Sequence, residues 1–388
     1  MLQTLSTQSI MDDFAISTGL SNRGHEPRRY LWTDAFAVCN YLGLYRQNKD
    51  PAFLELALKL VDQVHQTLGQ HRADSIHNGW LSGLDDEQAQ KHPTVAGLRI
   101  GKPLNERSPG EPLSESMEWE QDGQYFHYLT KWMHALNCVS HYTGKGIYNH
   151  WAMELARVAY GAFTYVPTTA GPRRMYWKMS IDLSRPLVET MGQHDPLDGL
   201  ITYQQLEATA KRFRDSRPGT NLSEEINALA VMCAGQSWST RDPLGIGGLM
   251  TDAYRLVQLI EIHHMDEAQR LEKLLGDIDH SLQFFDAHNS LNMPAGQRLA
   301  FRELGLSIGL HALHRMRRHI DRSREQFINA NRLIELLGSL ARFHHYQETI
   351  ERFWSDPVHR SVTTWREHED INSVMLAASL TPDGYLNT

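Results

Sequence analysis

Apolar residues along most of the chain recur with the helical period, and no long stretch alternates with the period of two that strands show. Residues 33–46 are apolar on nearly every side, which predicts a helix that is buried all round. Residues 51–69 carry one apolar stripe opposite charged residues, which predicts a half-exposed outer helix. The same pair recurs at 122–142 and 148–163, so the pattern predicts an all-α chain of helical hairpins.

Further helices are predicted near 174–191, 199–213, 222–236, 249–263, 266–286, 299–318, 324–346 and 369–380. The sequence LWTDAF at 31–36 is echoed by LMTDAY at 249–254, which is typical of a repeat with equivalent helix starts. Residues 1–29 are predicted to form an N-terminal extension with at most one short helix. Alternating inner and outer helices over 30–388 predict a single domain, an (α/α)6 toroid of six hairpins.

A segment far longer than an ordinary helix connection, residues 70–121, interrupts this pattern. It contains four prolines and also apolar and aromatic residues that can anchor it, including Trp80, Leu98 and Trp119. We therefore expect an ordered flap over the end of the toroid where the inner helices begin.

Composition narrows the classes of partner. The 388 residues include 41% hydrophobic ones, enough for a sizeable core, and 38 basic against 46 acidic residues give a net charge of −8. No basic block interleaved with aromatic residues is present, so nucleic acid is not an expected partner. No apolar run reaches the roughly 20 residues of a membrane helix, and the polar N-terminus lacks a signal peptide pattern. The expectation is a cytoplasmic protein without a membrane partner, with a homo-oligomer possible.

The three cysteines lie far apart in apolar contexts, which argues against a disulfide framework or a cysteine-based zinc site. The histidine pairs His311 with His314, His263 with His264 and His344 with His345 lack a third ligand at a recognisable spacing. We therefore predict no metal and no cofactor.

The hairpin pattern over most of 30–380 resembles the six-hairpin glycosidase-like superfamily, the (α/α)6 barrels of many glycoside hydrolases and of the N-acylglucosamine 2-epimerase group. The resemblance is architectural and includes no catalytic signature. It implies a funnel where the N-termini of the inner helices converge, lined by carboxylates and by aromatic rings that bind sugars. A mono- or oligosaccharide is the partner that this resemblance implies.

Glycoside hydrolysis requires two carboxyl groups that flank the bond. One candidate cluster, EWEQDGQYFH, contains Glu118 and Asp122, and a second, GQHDPLDG, contains His194, Asp195 and Asp198. The leading hypothesis is a glycoside hydrolase that pairs Asp122 or Glu118 with Asp198 or Asp195, while His194 orients the sugar. The alternative roles are structural, because Asp122 is also suited to be a helix N-cap and turns favour aspartate.

Further side chains are expected to line the same cavity and bind the sugar: Trp32, Asp34, Tyr125, His127, Trp177, Asp252, Arg302 and His368. Asp34 and Asp252 also suit helix caps. An alternative function is a sugar epimerase or isomerase in which His127, His194 and His368 move a proton beside a carbonyl, because histidine titrates near neutral pH. A non-catalytic helical scaffold is a third possibility.

Two glycine motifs suggest chemistry that their context does not favour. Residues 305–309, GLSIG, match the GxSxG pattern but lie inside a predicted helix, whereas a nucleophile elbow requires a strand before it. Residues 245–248, GIGG, lack the strand and the downstream lysine or acidic residue of a nucleotide-binding loop.

Overall fold

The computed structural model describes residues 5–21, 26–167 and 172–387, and helices dominate these ranges. The prediction of an all-α fold class is confirmed. The helices are α1 (Thr7–Ser17), α2 (Leu31–Asn48), α3 (Pro51–Leu68), α4 (Asp86–Lys91), α5 (Glu115–Glu118), α6 (Phe126–Thr143), α7 (Ile147–Phe163), α8 (Asp195–Arg212), α9 (Ser223–Cys233), α10 (Pro243–His263), α11 (Ala268–His288), α12 (Ala300–Arg322), α13 (Ala330–Leu340), α14 (His345–Ser355), α15 (Thr363–Arg366), α16 (Glu369–Leu380) and α17 (Asp383–Leu386). None of these helices is long and apolar enough to cross a bilayer.

Short strands occupy part of the chain where we predicted a helix. They are β1 (Gln124–Tyr125), β2 (Thr164–Tyr165), β3 (Arg174–Met175), β4 (Lys178–Met179) and β5 (Pro186–Val188). Strand β4 pairs antiparallel with both β1 and β5, and β2 pairs antiparallel with β3. The predicted helix at 174–191 is therefore wrong. Pro186 lacks the N–H that a helix interior needs, and Leu183 turns the chain at a φ of 61°.

Two other predicted boundaries also need correction. The helix predicted from Asp122 begins only at Phe126, because the residues before it extend into β1. Within the helix predicted over 324–346, only α13 is formed; a 3₁₀ turn at Ala341–Phe343 ends it, and α14 begins at His345 and extends beyond the predicted range.

The chain packs into two compact units. The first unit contains the described residues of 15–42 and 50–234, and the second contains those of 1–14, 43–49 and 235–388.

In the first unit, the outer and inner helix types predicted from the sequence are both present. Helix α3 begins with Pro51 after the Asp50 carboxylate, which accepts a hydrogen bond from Ala52 N, and it buries one apolar stripe that includes Leu60 and Val64. Helix α6 is buried along almost its whole length. Its Trp132 Nε1 donates to His65 Nε2 of α3 at 3.2 Å, and burial lowers the pKa of His65 to about 3.

The 70–121 segment is held in the first unit by buried side chains and by main-chain pairing. Trp80, Leu98 and Ile100 are buried. Ile100 N donates to Gly123 O at 2.8 Å, and Leu31 N donates to Ile100 O at 3.0 Å. The segment is therefore joined at Ile100 to the starts of two long helices, α2 and α6.

In the second unit, both glycine motifs lie where α10 crosses α12. A Cβ on Gly247 would lie 2.0 Å from Gly305 O, and one on Gly309 would lie 2.7 Å from the Gly247 main chain. The motifs allow the two helix backbones to approach closely, because any side chain at these positions would collide with the neighbouring helix. They lie inside helices, as the sequence indicated.

This crossing allows a matched test of stability. Gly247→Ala should lower the free energy of unfolding by about 1–3 kcal/mol, because the added methyl group overpacks the contact with Gly305. A Cβ on the adjacent Gly248 meets no atom within 4 Å. Gly248→Ala should therefore stabilise the protein by about 0.5–1 kcal/mol through helix propensity. Urea unfolding, monitored by circular dichroism, measures the free energy of unfolding of both variants. Equal changes in the two variants would contradict the close contact of α10 with α12 at Gly247.

Candidate functional site

Aromatic side chains surround His127 at the start of α6 in the first unit. We call Trp32, Tyr125, His127, Tyr128 and Trp177 the aromatic cluster. The ring of His127 lies 4.9 Å from Tyr128, 5.3 Å from Tyr125 and 6.1 Å from Trp32, measured between centroids. Trp177 is stacked parallel to His127 at 6.1 Å with an interplanar angle of 13°.

Main-chain pairing brings Trp177 to this place. Tyr125 of β1 pairs with Lys178 of β4, the residue after Trp177, and Trp177 N donates to Val188 O at 3.1 Å. Gly123 precedes β1 with a φ of +146°, and a Cβ there would lie 2.7 Å from Met179 O. Only glycine therefore permits the close approach of the two strands.

The edge of the aromatic cluster is accessible. Trp177 is half-buried, and Trp119, which is 52% exposed, contacts it edge-on with a centroid distance of 5.2 Å. Deeper in the cluster, Trp32 Nε1 and Tyr125 Oη are buried and make no hydrogen bond to the residues that the structure describes. A ligand that stacks on exposed rings and accepts or donates at these inner atoms would match this surface.

His127 faces a carboxyl group at the start of α8. His127 Nδ1 lies 3.9 Å from Asp195 Oδ1. Burial, followed by the positive charge of Lys131, lowers the pKa of His127 to about 4, although a quarter of its side chain remains accessible. Burial, followed by the negative charge of Asp198, raises the pKa of Asp195 to about 7. Near neutral pH the imidazole is thus uncharged and the carboxyl group is partly protonated.

The His127 imidazole and the Asp195 carboxyl group each have a polar atom that makes no hydrogen bond within the described part of the chain. His127 Nδ1 and Asp195 Oδ2 are buried without a hydrogen-bond partner among the residues that the structure describes. Unpaired buried polar atoms are rare, and each is costly unless something else satisfies it. Their position beside the aromatic cluster indicates a place for a polar ligand.

Asp198, one turn beyond Asp195, is held in an ion pair. Lys131 Nζ lies 2.9 Å from one of its carboxylate oxygens and 3.0 Å from the other, and Thr130 Oγ1 also donates to it. We had not singled out Lys131 from the sequence. Its position four residues after His127 places both on one face of α6, and that spacing is the signal that would have found it.

Asp122 is buried in a structural role. Its side chain accepts hydrogen bonds from Arg99 Nη1 at 2.8 Å, Gly101 N at 2.9 Å and Gly123 N at 3.0 Å, and it has no exposed surface. It does not cap α6, because that helix begins four residues later and Tyr125 occupies the N-cap position.

Glu118 is likewise engaged. Its carboxylate lies 3.0 Å from Arg107 Nε and 2.8 Å from Lys178 Nζ, and only 5% of the side chain is exposed. The two carboxylates of the first predicted cluster therefore face cationic partners and not an open surface.

The remaining predicted residues of the first unit lie around the start of two helices. Asp34, in the first turn of α2, accepts from Tyr30 N at 2.9 Å and pairs with Arg29 at 3.3 Å. His194 precedes α8 and its main-chain oxygen accepts from Asp198 N at 3.0 Å. Tyr30 Oη bonds Tyr128 Oη at 2.7 Å, and burial raises the pKa of both tyrosines.

Three predicted residues belong to the second unit. Asp252 lies inside α10 and 3.5 Å from Arg255, so its predicted place as a helix cap is wrong; the helix begins at Pro243 and Asp242 caps it. Arg302 pairs with Asp242 at 3.1 Å. His368 occupies the N-cap position of α16, with its ring 5.6 Å from Phe301.

Two groups in the first unit bring three metal-ligating atoms within 4.8 Å of one another, among the residues that the structure describes. One consists of the buried side chains Cys39, His134 and Cys138. The other consists of His150 and Glu154, four residues apart on α7, and His92, which lies far from them in sequence.

No protein-family model and no curated protein sequence matches the chain. Among solved structures, it is similar to cellobiose 2-epimerase from Spirochaeta thermophila DSM 6192, with a TM-score of 0.46 and 15% identity over 87% of this chain and 84% of that one. It is also similar to cellobiose 2-epimerase from Bacillus thermoamylovorans B4167, with a TM-score of 0.45 and 9% identity over 87% of this chain and 86% of that one. With TM-scores below 0.5, neither similarity assigns an activity or a site to this chain.

The contacts of Asp122 lead to a stability prediction. Asp122→Asn should lower the free energy of unfolding by about 3 kcal/mol, because Arg99 would lose its buried counter-charge. Asp74 shares a partner with Asp122, since Arg72 contacts both, but Asp74 is 55% exposed. Asp74→Asn, the matched control, should change it by less than about 1 kcal/mol. Thermal and urea unfolding measure the difference, and a fully stable Asp122→Asn protein would contradict the structural role.

Proposed function

We propose that the first unit binds a carbohydrate and moves a proton at the carbon next to the sugar carbonyl, as a sugar epimerase or isomerase. The observation that carries this proposal is the pair of His127 and Asp195, 3.9 Å apart beside an aromatic cluster. One of the pair is a neutral imidazole and the other a carboxyl group that titrates near neutral pH.

Asp195 is suited to be the base. A general base works best when its pKa lies near the operating pH, because it is then both ionised and strong enough to take a proton. An ordinary aspartate has a pKa near 4 and is a weak base, whereas burial and Asp198 raise the pKa of Asp195 to about 7. In the proposed step, the Asp195 carboxylate removes the hydrogen from the carbon beside the carbonyl.

His127 is suited to polarise the carbonyl. As the C–H bond breaks, its electron pair moves into the bond to the carbonyl carbon and negative charge develops on the carbonyl oxygen. A neutral imidazole can donate a hydrogen bond to that oxygen, and with its pKa lowered to about 4 the His127 ring is neutral near pH 7. Return of the proton from Asp195 to the former carbonyl carbon, together with passage of the neighbouring hydroxyl proton to the carbonyl oxygen, gives an isomer. Return of a proton to the opposite face of the same carbon, from water or from Asp195 after the enediolate has turned over, gives an epimer.

The surrounding residues support binding of a sugar. Trp177 and Trp119 offer accessible aromatic surface for the C–H groups of a sugar ring, and Trp32 Nε1 and Tyr125 Oη are unpaired inner polar atoms for its hydroxyl groups. The ion pair of Lys131 with Asp198 would tune the chemistry without touching the reacting atoms.

Glycoside hydrolysis is a second candidate, because a carboxyl group with a pKa near 7 is also suited to protonate a leaving group. That reaction needs another carboxylate to act as nucleophile or base. Asp122 and Glu118 are engaged by arginine and lysine, and Asp198 is held by Lys131. Proton transfer beside a carbonyl needs only one carboxylate and the imidazole, so we favour it. A scaffold function leaves the unpaired atoms of His127 and Asp195 without a purpose.

Hydrogen exchange tests this proposal directly. The protein is incubated in D₂O with a panel of reducing mono- and disaccharides, and proton NMR follows loss of the signal from the hydrogen next to the carbonyl. Asp195→Asn should abolish exchange because the amide cannot take a proton, and His127→Phe should slow it by about 100-fold or more. Glu189→Gln, an exposed carboxylate outside the cluster, serves as the control and should keep the wild-type rate.

The proposed roles also predict how kcat/KM changes with pH. Because ionised Asp195 is the active form, kcat/KM should rise with pH and level off above about 7, and His127 adds no inflection there because its pKa is about 4. Exchange that persists in Asp195→Asn would refute the assignment of the base. Release of sugar from glycosides, lost in both Asp195→Asn and Asp198→Asn, would favour the hydrolase instead.

A further inference from the structure

Three metal-ligating side chains converge in the first unit, apart from the aromatic cluster. His92 follows α4 in the 70–121 segment, and His150 and Glu154 lie on α7. His92 Nδ1 lies 2.5 Å from Glu154 Oε1, and His150 Nε2 lies 3.5 Å from the same oxygen. We propose that these residues bind a divalent transition metal ion, best matched by Zn²⁺, which fastens the 70–121 segment to α7.

The spacing suits such an ion. His150 and Glu154 are four residues apart on one helix, so their side chains project from the same face. Nitrogen and oxygen ligands bind Zn²⁺ at about 2.0–2.2 Å in a tetrahedron, which places neighbouring ligand atoms about 3.3 Å apart. The two distances to Glu154 Oε1 lie on either side of that value, so small side-chain shifts would admit the ion.

An unpaired buried oxygen gives an independent indication of a bound cation. Glu154 Oε2 is buried without a hydrogen-bond partner among the residues that the structure describes. A buried carboxylate oxygen that lacks a donor is costly, and a cation held by Glu154 would satisfy it.

Hydrogen bonds on both sides of His92 prepare the site. Trp151 Nε1 donates to Lys91 O at 2.8 Å, and Thr94 Oγ1 donates to Trp151 O at 2.7 Å. The chain is thus already tied to α7 before His92 through a main-chain oxygen and after it through a side chain, so the ion would not have to order a free loop.

The donor set selects the class of ion. Two imidazoles and one carboxylate suit Zn²⁺ and similar transition metals, whereas Mg²⁺ and Ca²⁺ prefer oxygen donors. The His92 side chain is 42% exposed, which leaves access from solvent and room for water as a further ligand.

The metal-stripped protein is titrated with Zn²⁺ while calorimetry records the heat of binding. A second titration uses Co²⁺ and records the visible absorption of the bound ion. One ion per chain should bind, and bound Zn²⁺ should raise the melting temperature and slow protease cleavage within 85–116. Because His92 is partly exposed, His92→Gln should fold normally, and it should weaken binding by about 100-fold or more, as loss of even an outer-shell partner costs 10–100-fold. Glu154→Gln should do the same.

Two controls identify the site. His77→Gln alters an exposed histidine of the same segment, and Cys138→Ser alters the other possible metal cluster. Both should bind Zn²⁺ as the wild type does. Absence of saturable binding, wild-type affinity in His92→Gln, or loss of binding in either control would each overturn the proposal.

Discussion

The buried carboxylate of Asp122 joins three parts of the first unit. Its hydrogen bonds to Arg99 and to the main chain of Gly101 and Gly123 bring residues 99–101 of the 70–121 segment against the chain that enters β1. Arg99 also donates to the main-chain oxygens of Thr67 and Gln70, at and just beyond the end of α3. Without this charge, the arginine would be buried with no counter-ion, and the residues that lead to His127 would lose their support.

A second electrostatic arrangement, the ion pair of Lys131 with Asp198, lies beside the candidate site. Lys131 and Asp198 form an ion pair beside His127 and Asp195, and each member acts on the proton affinity of a neighbour. Burial is the largest cause of both shifts; after it, the lysine lowers the pKa of His127 and the aspartate raises the pKa of Asp195. Burial acts in the same direction on both, since it disfavours the charged form of either group. The result is an uncharged imidazole beside a carboxyl group that is partly protonated near neutral pH.

Residue type alone was a poor guide to which acidic groups are available. Glu118 and Asp122 belong to the cluster that looked most like a catalytic pair, yet both are bound by cationic side chains. The glycines of GLSIG likewise resemble a catalytic motif and instead permit a helix crossing with Gly247. In each case a short motif had two uses, and the neighbours contributed by distant parts of the chain decided between them.

Most of the long helices follow from the sequence by itself, because the spacing of apolar residues decides which face can be buried, and turn residues such as Pro51 mark the ends. Local patterns likewise singled out His127, Tyr125 and Asp195 in two short segments, and Trp32 and Trp177 elsewhere in the chain. The strands within 174–191, the ion pair of Lys131 with Asp198, and the group formed by His92, His150 and Glu154 were decided by tertiary structure alone. The partners and burial of a polar group depend on residues far away in sequence, and these decide whether a carboxylate supports the fold or remains available for chemistry.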